Sequence, residues 1–350
     1  MKSFSCQNCG HAIFFENVQC LRCLRPLGYL PEFMQMSSFE QTADQFHSDL
    51  SRKDYKECKN GRQYQACNWM IDTEAEEDYC LSCSFNQTIP NVSIAQNLHH
   101  WQILESGKRR LLYSLQRLNL PLINKKVDPD NGLAFEFLKD TSERIQANDR
   151  VMTGHVDGVI TLNIAEADDA ERERRRITLN EDYRTVLGHF RHESGHYYWQ
   201  LLVEGQHRLD SFRQLFSDER SNYQSAVSDY YARGPAKDWQ NNHISAYASS
   251  HPWEDFAETW GHYLTIADTL ETSKEFGVSI SESAATPTEQ FDSYDASTFD
   301  AMLERWLPLT FAVNNINRSG GRPDLYPFVL SATVIEKLRY VHSLIRQVAP

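Results

Sequence analysis

No stretch of this 350-residue chain approaches the roughly 20 consecutive apolar residues that a membrane-spanning helix needs. The first ten residues, Met-Lys-Ser-Phe-Ser-Cys-Gln-Asn-Cys-Gly, are not followed by the apolar run of a secretory signal, so a cytoplasmic chain is expected. Positive charge is short as well. The 35 Lys and Arg against 48 Asp and Glu leave a formal charge of −13, which argues against a nucleic-acid binder that neutralises phosphates. Cysteine is missing beyond Cys83, and all eight cysteines lie at or before that residue. Without an export signal, such clustering reads as metal–thiolate chemistry before disulfides.

What is present can fill a core: 41% of residues are hydrophobic and 12% aromatic, so global disorder is not expected. Cys6-x2-Cys9 and Cys20-x2-Cys23 are two knuckles separated by ten residues. Each knuckle converges two thiolates on one ion, and together they close a tetrahedral structural zinc site. Gly10 follows the first knuckle, where a tight turn favours a residue without Cβ. Cys58, Cys67, Cys80 and Cys83 supply a second set of four, in which only Cys80-x2-Cys83 has knuckle spacing. Joining the four is the simplest choice, and an interleaving of the two sets stays open.

Residues 1–90 are therefore expected to form a small zinc-ribbon module that depends on metal, with little core of its own. Residues 1–100 carry eight Lys and Arg against twelve Asp and Glu, a net of −4. A ribbon so charged suits a protein partner or a structural role, not nucleic acid.

Further on, apolar spacing predicts a helix over 95–120 ended by Pro121, strands over 133–138 and 158–164, and a charged helix over Asp168–Arg176. Longer helices are predicted over Glu181–Val203 and Trp253–Ala267, with more helix in 207–240. A Ser- and Thr-rich loop is expected over 272–298, and two closing helices over 299–316 and 328–347.

The chemistry is concentrated in His192-Glu-Ser-Gly-His196. His192 and His196 stand one helical turn apart on one face, so both imidazoles reach one ion. Glu193 is displaced toward the ion's open position, where it accepts a proton as water attacks a carbonyl. Gly195 is read as leaving room beside the metal. A third ligand is needed, and Glu254 and Glu258 lie one turn apart in a largely apolar segment that Pro252 opens. Glu254 is expected to ligate zinc, with Glu258 hydrogen-bonding a ligand histidine from behind. His262 either lines this pocket or packs in the core. His189 is not expected to ligate, and His155, His207, His243 and His251 have no spacing partner. The Tyr197-Tyr198-Trp199 run is expected to pack the motif helix into its core.

These residues resemble the gluzincins, the thermolysin-like metallopeptidases that add a downstream glutamate to His-Glu-x-x-His. The segment Tyr247-x6-Glu254-Asp255-Phe256-Ala257-Glu258 is similar to that of the anthrax-toxin lethal factor protease. There, the first glutamate binds zinc and a tyrosine seven residues upstream faces the oxyanion. The resemblance implies Glu254 as ligand and Tyr247 as electrophilic stabiliser.

The chain also resembles a bacterial family of zinc-binding metallopeptidases with an N-terminal zinc ribbon. The resemblance rests on Cys6-Gln-Asn-Cys9, Cys67-Asn-Trp-Met70, Ala165-Glu-Ala-Asp-Asp169, Gly188 to His196, and Ala246 to His262. It implies an α+β chain: the ribbon module over 1–90, then a mainly helical, zincin-like domain over 91–350 with a small sheet. In zincins an extended peptide pairs along a strand edge, which assigns that role to 158–164, although the segment reads equally well as a plain strand. A departure from thermolysin is the 57-residue gap between His196 and Glu254.

The expectation is a zinc-dependent peptidase with one catalytic and two structural zincs. A protein-binding module that keeps a peptidase-like fold without turnover is the competing reading. A zinc hydrolase acting on a non-peptide amide is a third.

Overall fold

Turn-separated apolar pairs and triplets, too short to show a helical period, fold the N-terminal third into strands. The computed structural model describes residues 2–42, 45–140, 151–179, 184–278, 280 and 291–348. The chain divides into two compact units, Lys2–Tyr113 with Leu122–Arg172, and Ser114–Pro121 with Glu173–Pro350.

In the first unit, β1 (Phe4–Ser5) and β2 (Ala12–Ile13) pair antiparallel around the first cysteine knuckle. An antiparallel meander follows in the order β3 (Leu27–Leu30), β4 (Gln35–Thr42), β5 (Gln45–Ser48), β6 (Asp54–Glu57) and β7 (Met70–Asp72). Between β6 and β7 lies α1 (Lys59–Tyr64). Leu30, Phe39, Phe46, Tyr55 and Met70 form one buried cluster of this meander. Phe15, Tyr29 and Trp69 form a second aromatic layer, with Tyr29–Trp69 ring centroids 4.7 Å apart. The module thus has a core that its polar composition concealed, because short strands carry it and bury serines such as Ser37, Ser38 and Ser48 along with the apolar residues.

Next come α2 (Leu81–Ser84), β8 (Asn86–Thr88), the long α3 (Ala95–Arg117), β9 (Ala134–Leu138), β10 (Gly154–Val156), β11 (Val159–Asn163) and α4 (Asp169–Leu179). The expected helix over 95–120 stops at Arg117, and Asn119 takes a left-handed φ of 53° before Pro121 is reached. The sheet order is β10-β11-β9-β8, with β11 and β8 both parallel to β9. β10 and β11 form a two-residue hairpin at Asp157-Gly158, both with positive φ, as a type I′ turn requires. The hairpin weighs against one expectation: β10 covers Val159–Thr161 on one side and β9 covers Val159–Asn163 on the other. Among the described residues β11 is therefore an interior strand and not the sheet edge expected of 158–164 to pair a peptide.

The second unit is helical: α5 (Val186–Trp199), α6 (Leu209–Phe216), α7 (Tyr223–Arg233), α8 (Trp239–Asn242), α9 (Pro252–Glu275), α10 (Phe299–Ser319) and α11 (Ala332–Val348). The Thr185 hydroxyl accepts the Gly188 N–H at 3.0 Å and caps α5, which continues into a wider π turn over Gln200–Glu204. Residues 181–183 of the expected helix lie outside the described residues. α9 is the centre of this unit, packing against α5, α6, α10 and α11. It runs eight residues past the expected end at Ala267, because Leu270 and Glu271 are also buried. The expected 272–298 loop therefore begins as helix, and its residues 279 and 281–290 lie outside the described residues. Among the described residues no helix is long and apolar enough to cross a membrane.

Candidate active site

The site is built where α5 crosses α9, and Gly195 permits the crossing. A Cβ on Gly195 would stand 2.8 Å from the Ala257 Cα and 3.2 Å from the Trp260 Cβ. The role expected for Gly195 is thereby corrected: it makes room for a neighbouring helix backbone rather than for an ion. Tyr198 stacks on Trp260 at 5.0 Å, and Tyr197, Tyr198 and Trp199 are buried as expected.

This close approach brings Glu254 of α9 to the histidines of α5. Its Oε2 lies 3.0 Å from His192 Nε2 and 3.5 Å from His196 Nε2. Ligand atoms of His192, Glu193 and His196 also lie within 4.8 Å of one another. Zinc–nitrogen and zinc–oxygen bonds of about 2.0–2.2 Å put tetrahedral ligand atoms about 3.4 Å apart. The two distances at Glu254 bracket that edge, and the buried Oε2 makes no hydrogen bond of its own. The donor set fits zinc.

Hydrogen bonds behind His192 and the Glu254 carboxylate orient them, and a ring contact steadies His196. His192 Nδ1 is 2.6 Å from Glu258 Oε1, which leaves Nε2 toward Glu254. The other Glu258 oxygen accepts from the Ser245 hydroxyl at 2.6 Å. Glu254 Oε1 accepts from the Tyr223 hydroxyl at 2.7 Å. Trp253 lies against the His196 ring, with centroids 3.8 Å apart. Tyr247, in a short 3-10 turn over Tyr247–Ser250, sits with its ring 6.0 Å from that of His192.

The charges follow from these neighbours. Burial pushes the Glu193 carboxyl above the usual carboxylate range, against the pull of His192 and His196. Its Oε2 is buried without a hydrogen-bond partner. Burial would raise Glu254 too, but His196 and His192 prevail and hold it well below that range. The same competition holds Glu258 down, chiefly through its hydrogen bond with His192. Burial, helped by Glu254 and Tyr223, pushes the Tyr247 phenol far up, so it keeps its proton at neutral pH.

Ser245 and Tyr223 escaped the sequence reading. Ser245 lies 13 residues before Glu258, and Tyr223 lies 31 before Glu254, so no helical period links either pair. His251, which has no spacing partner in the sequence, is the N-cap of α9 and accepts the Trp253 N–H at 3.1 Å. His262 is half-buried, hydrogen-bonds Tyr326 at 2.7 Å and packs against Phe328, which favours the packing reading. Burial pushes its imidazole down to about 4. His243 pairs with Asp255, and His155 accepts the Gly158 N–H of the β10–β11 turn.

The cysteines gather as two separate clusters, Cys6–Cys9–Cys20–Cys23 and Cys58–Cys67–Cys80–Cys83, so the sets do not interleave. Sulfurs stand 3.6 Å apart in the pairs Cys6–Cys23 and Cys9–Cys20, and 3.5 Å apart in Cys67–Cys80. Such gaps exceed a disulfide bond of about 2.05 Å and approach the roughly 3.8 Å edge of a zinc–thiolate tetrahedron. Gly10 has φ +71°, as the first knuckle requires, and Leu24 holds φ 63° at the same place after the second. In the second cluster a Cβ on Gly61 would meet the Cys67 carbonyl oxygen at 2.4 Å. The Cys80 N–H points to Cys58 Sγ at 3.5 Å, and the Trp69 N–H to Cys67 Sγ at 3.4 Å.

Thiol tetrads, the second of them fully buried, and a His-His-Glu convergence are the marks of a zinc protein. A family described as "Putative zinc-binding metallo-peptidase" matches residues 97–344, and a zinc-ribbon domain matches residues 3–94. Uncharacterized proteins of Mycobacterium bovis and of two Mycobacterium tuberculosis strains are each 39% identical over 351 residues, covering 100% of this chain and 97% of the relative. The chain belongs to this zinc-binding metallopeptidase family. No solved structure matches it.

Proposed function

We propose that the chain is a zinc-dependent peptidase of the gluzincin type, with a zincin-like catalytic domain over residues 91–350 and a zinc-ribbon module over 1–90. The observation that carries this reading is the convergence of Glu254 Oε2 on the Nε2 atoms of both motif histidines, with Glu193 beside them. His192, His196 and Glu254 hold the catalytic ion, and three protein ligands leave a position open for water or substrate. When bound, zinc supplies the Lewis acidity that activates water and polarises a carbonyl.

The remaining steps belong to the chain's own groups. Glu193, buried and without a hydrogen bond at Oε2, takes the proton of the attacking water and passes it to the leaving nitrogen. Tyr247, which keeps its phenolic proton, donates to the developing oxyanion, a contact worth about 3 kcal/mol where comparable donors have been removed. Glu258 fixes the His192 tautomer through Nδ1. The two cysteine tetrads hold structural zincs and make the first 90 residues a platform for a protein partner.

The test is cleavage profiling of a peptide library by mass spectrometry, with wild type beside Glu193→Gln. The expected result is peptide-bond hydrolysis by wild type and a loss of about 10²–10⁴-fold in the variant with its zinc retained. A zinc-loaded wild type that cleaves no member sinks the peptidase reading in favour of a binding module. Hydrolysis confined to non-peptide amides redirects it to that substrate class.

A further inference from the structure

Within the 57 residues between His196 and Glu254, Tyr223 reaches an expected metal ligand directly, a contact that the proposed mechanism does not use. Tyr223 is the first residue of α7, and its hydroxyl donates to Glu254 Oε1 at 2.7 Å. The other oxygen of the same carboxylate faces the two histidine Nε2 atoms. The two oxygens of Glu254 therefore have different partners.

The contact is anchored from both sides. His251 caps α9 through Nδ1, and its Nε2 lies 3.1 Å from the Ser221 carbonyl, so the chain entering α7 is tied to the chain entering α9. Asn222 caps α7 by accepting the Ser225 N–H at 2.8 Å. The Tyr223 ring meets those of His251 at 5.3 Å and Trp253 at 5.8 Å, both edge-on. Ser221 and Tyr223 thus grip the N-terminal turn that carries the carboxylate, and Asn222 between them fixes the start of α7.

Nor does the fold need this hydroxyl for a core. α7 buries none of its residues, and Tyr223 itself is 38% exposed. A phenol that reaches from an exposed ring to a carboxylate only 1% exposed does so for that carboxylate.

We propose that Tyr223 is a positioning residue that holds Glu254 to a single metal-facing oxygen. A carboxylate free to turn both oxygens to the ion would occupy the position that substrate or water needs. With Oε1 engaged by the phenol, only Oε2 is offered, and the three-ligand geometry persists. The inserted segment thereby completes the site as well as covering the gap. The inference rests on the zinc-site reading above.

The test uses full-length protein and Tyr223→Phe, which keeps the ring and removes the oxygen. Zinc affinity of the third equivalent is measured by chelator competition. After mild chelation has stripped that equivalent alone, one equivalent of cobalt(II) reports its coordination by visible absorption. The expected result is a fall of about 10–100-fold in affinity at this site. The cobalt band should weaken toward higher coordination, while the melting temperature and the two thiol-bound zincs stay at wild-type values. Affinity and spectrum both within twofold of wild type overturn the proposal. So does an equal loss of metal from the thiol clusters, which marks general unfolding. A wild type that never holds a third equivalent overturns the zinc-site reading, and this proposal with it.

Discussion

The cysteine tetrads and the histidine–glutamate site gather their donors by opposite routes. Each tetrad closes within a short span, residues 6–23 and 58–83, on turns whose backbone N–H groups point at sulfur or at neighbouring carbonyls. The other site draws His192 and His196 from α5 and Glu254 from α9, and their placement depends on two long helices packed at Gly195 and Ala257. The meander core and local turn bonds place these thiols, but four thiolates at such distances repel unless an ion offsets their charge. The helix pair has a scaffold independent of metal: Phe256, Ala257, Trp260, Tyr263 and Leu264 bury α9 whatever occupies the site. The geometry predicts that the first region needs its metal to fold, while the second folds before metal arrives.

The largest expected effect tests that contrast directly. Cys80→Ser should remove one zinc and cost several kcal/mol of stability, since structural zinc contributes about 10–16 kcal/mol of binding energy to zinc-finger peptides. Urea unfolding with metal analysis checks this, and His196→Ala provides the comparison. It should also lose one zinc while keeping its helical circular dichroism. If both variants unfold alike, the contrast fails.

A smaller effect is expected from Gly195→Ala. The new methyl meets helix backbone at 2.8 Å, and backbone has little room to yield. The cost should be about 1–3 kcal/mol, with weaker zinc binding at the histidine site and none lost from the thiol clusters. Thermal melts and metal counts decide it, and an unchanged melting temperature would show that α5 and α9 separate freely.

The smallest is Glu258→Gln, which keeps the shape but removes the charge behind His192. Zinc affinity at that site should fall about 10–100-fold with stability nearly unchanged. Chelator competition reads the difference. A melting temperature lowered as much as in Gly195→Ala would mean that Glu258 supports the fold more than the site.

Legibility followed the range of the interaction. The knuckles and the His-x3-His pair repeat over three or four residues, so spacing alone shows their donors on one turn or one face. Glu258 was legible because it shares a stripe with Glu254 on an apolar helix. Ser245 and Tyr223 were not, because neither shares a period with the carboxylate it bonds. The β3–β7 meander is not legible because its strands are short and bury polar residues such as Ser37, Ser38 and Ser48 beside Phe39 and Phe46, which blurs the apolar alternation. The motif marks Gly195 as special but not why: what it faces is Ala257, 62 positions on, and only the helix crossing shows it.

The amino-acid order by itself determined the donor types and the local pairs: eight thiols by residue 83 with three knuckles among them, two imidazoles one turn apart, and two acids on one helical stripe. Such choices depend on chain geometry over a single turn. The tertiary structure decided which tetrad each thiol joins, which Glu254 oxygen faces the histidines, and which hydroxyls hold the two carboxylates in place. Those are distances between segments far apart in the chain, set by how closely helix backbones pack.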